Sequence, residues 1–184
     1  MKVTKAQAQA NRAHVVETAS TLFRERGYDG VGVADLMAAA GFTHGGFYKH
    51  FRSKADLMAE SAACGIAQTA ALSVGAARPD FVRAYLSRQH RDARATGCTM
   101  AALGGDAARQ PHEVRTSFAD GIERLLATLA LTDADAEPAA RAVTLDQLAH
   151  MVGAIVMSRA CPDDSPLADE ILAVCRDRIL AGAG

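Results

Sequence analysis

Alanine is the commonest residue of this chain, 40 of 184, and tryptophan is absent. Alanine is the strongest helix former and offers little to the packed face of a sheet, so a chain built on it is committed to helix. Proline punctuates the sequence without interrupting it. Pro79, Pro111, Pro138, Pro162 and Pro166 all stand where a helix can start or a loop can run. No stretch alternates apolar and polar residues long enough for a strand. The predicted fold class is all-α, with about nine helices.

Apolar spacing places those helices. Val15, Ala19, Leu22 and Phe23 mark one over 8–26, closed by Gly27. Val33, Leu36, Met37 and Ala40 mark a short second helix, followed by the turn Gly41-Phe42-Thr43. Thr43 can cap a third short helix through His50, with Phe47 and Phe51 on its inner face. Ser53-Lys54-Ala55-Asp56 has the form of a capping box and starts a long helix to about residue 74. Further helices are expected over 80–95, 99–109, 111–130, 138–160 and 166–181. Residues 142–157 are apolar on more than one side, which calls for a second cover such as a partner subunit. Leu167, Ile171, Leu172, Cys175 and Ile179 form a seam on the last helix that can join that contact.

The formal net charge is −1, which excludes a binder that relies on a large positive excess. The charge is nevertheless uneven. Residues 1–57 hold eight Lys/Arg against five Asp/Glu, and residues 58–184 hold twelve against sixteen. All four lysines (Lys2, Lys5, Lys49 and Lys54) lie in the first part. A small basic unit and a larger, mildly acidic one are expected, over 1–53 and 54–184. No apolar run is long enough for a membrane span, and the first residues have no apolar core of a secretory signal, so a cytoplasmic location is expected. Cys64, Cys98, Cys161 and Cys175 have neither zinc nor disulfide spacing, and no metal or cofactor is expected. GxSxG, HExxH and GxxxxGK[ST] are all missing, so the chain is not read as an enzyme.

Two short helices joined by a glycine-containing turn have the dimensions of a helix-turn-helix. Gly45 and Gly46 near the start of the second one are costly in a helix, by about 1 kcal/mol each. They make sense where something must approach the backbone closely. Thr43, His44, Tyr48, Lys49 and His50 crowd the same segment.

The ordered set Ala19-x-x-Leu22-Phe23-x-Glu25-x-Gly27-Tyr28, Val33-Ala34-Asp35-Leu36-Met37-x-x-Ala40-Gly41-Phe42-Thr43 and Gly46-Phe47-Tyr48-Lys49-His50-Phe51-x-Ser53-Lys54-x-Asp56-Leu57 resembles the N-terminal domain of the tetracycline-repressor (TetR) family of transcription regulators. One position departs: Gly32 stands where the family's second helix usually opens with Ser or Thr. The resemblance implies a homodimeric, ligand-responsive repressor on a pseudo-palindromic operator in double-stranded DNA. It implies a three-helix DNA-binding domain ahead of a larger helical ligand-binding and dimerisation domain, paired through the helices at 138–160 and 166–181. DNA contacts would come from Thr43, His44, Gly45, Tyr48, Lys49, His50 and Lys54, with the tail through Lys2, Lys5 and Arg12 touching the backbone or minor groove. Phe47, Phe51, Leu22, Phe23 and Leu36 would be core, and His14 a solvated helix residue.

The resemblance also implies an unidentified small-molecule inducer, with pocket candidates Ile66, Tyr85, Met100, Leu103, Phe118 and His150. Gly97-Cys98 resembles a subgroup whose thiol senses electrophiles or oxidants. A cysteine at a helix start gains thiolate character, and Arg91 and Arg94 upstream would help; the alternative is a small buried hydrophobe. The competing function is a helical small-molecule-binding or thiol-dependent enzyme or interaction module without DNA.

Overall fold

The computed structural model describes residues 4–130 and 138–182. Nine α-helices and one 3-10 helix occupy them, and they contain no strand. Among them no helix is long and apolar enough to cross a membrane. The helices are α1 (Lys5–Arg26), α2 (Val33–Ala39), the 3-10 helix (His44–Lys49), α3 (Lys54–Ser73), α4 (Arg78–Tyr85), α5 (Arg88–Asp92), α6 (Thr99–Ala107), α7 (His112–Ala130), α8 (Pro138–Ala160) and α9 (Pro166–Ala181).

Local chemistry sets the ends. Thr4 Oγ1 accepts from the Gln7 N–H at 3.1 Å, so α1 begins at Lys5, three residues ahead of the expected start. Lys2 falls outside the described residues. Gly27 ends α1 at φ 75, its N–H on Phe23 O at 2.8 Å. Gly32 has no side chain to cap α2, and the Asp35 carboxylate accepts the Gly32 N–H at 3.1 Å instead. Ser53 Oγ caps α3 by accepting from the Asp56 N–H at 3.0 Å. The return half of the expected capping box is displaced by one residue, because the Asp56 carboxylate accepts from the Arg52 N–H at 3.1 Å. This contact holds the Asp56 carboxyl below its usual range.

The predicted helix over 80–95 is two pieces, α4 and α5. Leu86 leaves helical geometry at ψ 48, and Ser87 recaps the chain by accepting from the His90 N–H. One core runs through the molecule, from Val15, Phe23, Leu36, Phe47 and Phe51 to Leu103, Leu125 and Ile155. Helix α3 packs against α1 on one side and along α7 on the other. The α3–α7 approach is close at Gly121, where an added Cβ would lie 2.6 Å from Ile66 Cδ1.

Arg91, the largest fully buried side chain, locks α5 to the end of α8. Its guanidinium donates to Ser158 O, Ser158 Oγ and Cys161 O at 3.0–3.2 Å, and pairs with Asp92 and Asp163. On α9, Leu172 and Ile179 turn into the core, so the predicted seam is only in part a surface. The apolar surface of the last two helices is instead Val143, Leu145, Val156, Met157, Leu167 and Val174.

Candidate nucleic-acid interface

The segment after the Gly41 turn folds as a six-residue 3-10 helix rather than the predicted α-helix. Two consecutive glycines weaken the α-helical alternative, and a run this short suits the tighter winding. Gly41 is needed at φ 78, a conformation that a side chain disfavours. Phe47 is fully buried and anchors the segment, with Phe51 beside it at 5.5 Å between rings. The His50 N–H and Phe51 N–H both donate to Phe47 O, at 2.9 and 3.0 Å.

A rigid inner face therefore presents an exposed outer one. Thr43, His44, Gly45, Tyr48 and Lys49 are exposed together. Tyr48 is 70% exposed even though its ring lies edge-on to Phe47 at 5.2 Å. Thr43 stands at the cap position but its hydroxyl makes no capping bond, so it remains available outward. A Cβ added to Gly45 would meet nothing within 4 Å, so the backbone there is open to approach.

Three predicted contacts are placed differently. His50 is half-buried, and its carbonyl accepts from Arg12 Nε at 3.2 Å. Arg12 is committed within the fold: it forms a bidentate pair with Glu60 and stacks over the Phe51 ring at 4.7 Å. It staples α1 to α3 rather than reaching outward. Lys54 is half-buried, with Nζ donating to Tyr28 O at 2.5 Å and lying 5.8 Å from the Phe23 ring centre. Its first role is to hold the loop between α1 and α2, although an ammonium has further donors.

Sequence reasoning missed Arg52. Its side chain is 91% exposed, three residues after Lys49 in the chain, and pairs loosely with Asp56 at 3.4 Å. A positive residue between Lys49 and Lys54 was the signal.

The pocket candidates do not converge. Ile66 and Leu103 are core. Met100 and Phe118 line a groove of about 540 Å³ with α8, and exposed His150 lines another of about 450 Å³ beside Arg178. Tyr85 and Cys98 share a third, of about 570 Å³, between the end of α3, α4 and the 87–98 segment. The grouping went by residue type, whereas the face each helix turns inward decides which side chains meet.

Cys98 is buried at the foot of α6, and its N–H donates to His90 Nε2 at 3.0 Å. His90 Nδ1 is 2.6 Å from Tyr85 O, so Nδ1 carries the proton and donates. Burial first, and then Arg159, hold His90 below its ordinary pKa. Arg91, expected to assist Cys98, points instead to the end of α8. The cations that interact with Cys98 are Arg24 and Arg159.

Residues 15–60 match the family model of bacterial regulatory proteins of the tetR family. The chain is 39% identical over 57 residues to the HTH-type transcriptional regulator AcrR of Shigella flexneri, covering 31% of this chain and 26% of that protein. The match thus spans about a quarter of that relative's length. Over nearly the whole chain, E. coli NemR in its reduced form superimposes with TM-score 0.71 at 19% identity, covering 92% of this chain and 95% of that one. A TetR-family regulator from Agrobacterium tumefaciens gives TM-score 0.69 at 24% identity, covering 95% and 98%. At such identities the whole-chain likeness is one of fold. Residues 15–60 are thus similar to the domain by which the bacterial regulatory proteins of the tetR family are recognised.

Proposed function

We propose that this chain is a homodimeric transcription regulator, acting as a repressor, that reads a pseudo-palindromic duplex with the 3-10 helix of each protomer. The observation that carries the reading is the exposed face of Thr43, His44, Gly45, Tyr48 and Lys49 on a segment pinned from behind by Phe47 and Phe51. Thr43 and His44 read base edges, Tyr48, Lys49 and Arg52 take phosphates, and the backbone at Gly45 comes closest to the duplex. His50 and Lys54 act mainly by fixing the segment, and the free donors of Lys54 add a phosphate contact. The division between reading and regulatory units at 53/54 belongs to the same proposal, with α3 starting at it.

The dimer forms through α8 and α9, whose exposed Val156, Met157, Leu167 and Val174 are too many apolar side chains for a helix pair meant to face water alone. A small molecule in the cleft of Tyr85 and Cys98 lowers DNA affinity by binding one protomer arrangement better than the other. A thiol role for Cys98 in that response is favoured by its place on the cleft wall.

Electrophoretic shift with duplexes flanking the chain's own gene tests the DNA reading. Salt-sensitive binding to a palindrome is expected, and its absence at micromolar protein contradicts the reading. For Cys98, N-ethylmaleimide is expected to release wild type from DNA but not Cys98→Ser; equal release ends the thiol role.

A further inference from the structure

We propose that the cleft beside α4 binds a small organic carboxylate, its anionic head at the inner end by Tyr85 and Gly97-Cys98 and its apolar body running outward past Phe81 and Leu72. The inference rests on the regulatory reading above only for its consequence on DNA; the binding stands by itself.

The arginines differ in their partners. Arg12, Arg88, Arg91 and Arg141 each pair with a carboxylate. Arg24 and Arg159 have none among the described residues. Arg24 is buried, and donates only to Gly97 O at 3.4 Å and Gln68 Oε1 at 3.2 Å. Arg159 donates to Arg91 O at 2.8 Å and His90 O at 3.1 Å, and its Nη1 has no partner. Both guanidiniums converge on Gly97, which lines the cleft. Arg24 bonds its carbonyl, and Arg159 Nη2 would stand 3.1 Å from a Cβ placed there. Burying one cation and half-burying another with only neutral oxygens around them is costly unless a negative charge joins them.

A second, independent feature lies at the same end. The Tyr85 hydroxyl has no hydrogen-bond partner although Tyr85 is only 5% exposed. A native buried hydroxyl is rarely left unmatched. The inner end of the cleft thus has the Tyr85 hydroxyl on its wall and two guanidiniums behind Gly97, a donor and positive charge suited to a carboxylate. His90 adds no charge, since both ring nitrogens are engaged with Tyr85 O and the Cys98 N–H. The one carboxylate lining the cleft is Asp80, which is exposed and paired with Arg83 at 3.1 Å. The wall between is apolar, from Leu72, Ala76, Phe81 and Ala84. A volume of about 570 Å³ suits a molecule of modest size. The Tyr85 hydroxyl is shielded from water, where charge-assisted bonds are strongest. The Cys98 side chain lies beside the Tyr85 hydroxyl on the same cleft wall.

The test is calorimetric titration of the full chain with benzoate and octanoate against benzamide and octanamide, without DNA. At least one acid is expected to bind about tenfold or more tightly than its amide. Arg159→Met and Tyr85→Phe are each expected to weaken that acid about tenfold while leaving the amide unchanged. Tyr85→Phe keeps the ring, so it decides the matter if Arg159→Met does not fold. Acid and amide binding alike, neither acid binding, or Tyr85→Phe binding the acid as wild type does would each overturn the proposal. Failure here leaves DNA binding standing, and a chain that binds no duplex can still pass this titration.

Discussion

At the scale of single residues, exposure and partnership divide side chains that look alike in the sequence. Lys49 and Lys54 are both lysines of the helix-turn-helix stretch, yet Lys49 faces out while Lys54 is bonded to Tyr28 O. Lys49→Ala is expected to weaken binding to all duplexes and to reduce the slope of log affinity against log salt by about 1. Fluorescence anisotropy across a salt series measures it, and an unchanged slope would deny the phosphate contact. Lys54→Ala is expected to lower the melting temperature as well as affinity, because it frees the loop at Tyr28. His90 supplies a pH test. Burial keeps it deprotonated in the folded chain, so below its ordinary value of 6.5 the unfolded chain binds a proton that the folded chain refuses. Stability therefore falls as pH drops through 6.5 towards the lower folded value. From pH 7.5 to 5.5, wild type is expected to lose more melting temperature than His90→Gln; parallel losses would contradict the assignment. The roles of Arg12, Arg24 and Arg159 were not legible in the sequence, since a guanidinium's partner lies tens of residues away and only the fold brings them together.

At the scale of elements, spacing was informative wherever one face is apolar and a cap is present. Helices α1, α2, α3, α6, α7, α8 and α9 fall close to the expected stretches. Two elements differ for local reasons. The glycine pair turns the expected α-helix after Thr43 into a 3-10 helix, and Ser87 divides the stretch expected at 80–95. Close packing between elements leaves no periodic signal, and Gly121 is the case in point. Gly121→Ala forces its methyl against Ile66 Cδ1 and is expected to cost about 1–3 kcal/mol. Ile66→Val removes that methyl and is expected to restore part of the loss in the double variant, as read by chemical denaturation. Additive losses would show that α3 and α7 do not meet there as described.

At the scale of the whole molecule, residues 1–57 hold an excess of basic and residues 58–184 an excess of acidic side chains, and the net charge of −1 conceals the division. The exposed stretch from Thr43 to Lys49 was legible because its turn glycine and aromatic anchor are local in sequence. The cleft was not, because Tyr85 and Cys98 join it from separate segments while Met100 and Phe118 turn to another groove. The apolar surface of α8 and α9 makes oligomeric state a second whole-molecule test. Met157→Glu is expected to shift the chain from dimer towards monomer in sedimentation velocity and to weaken DNA binding with it. A wild type that sediments as monomer at tens of micromolar would remove the paired reading heads. The most direct test of the central claim is anisotropy of the purified full chain on duplexes tiling the DNA beside its own gene, repeated with Lys49→Ala. The account predicts a palindromic tile bound in a salt-dependent manner, with affinity and salt slope both reduced in the variant; equal binding of wild type and variant, or no tile bound, would contradict it.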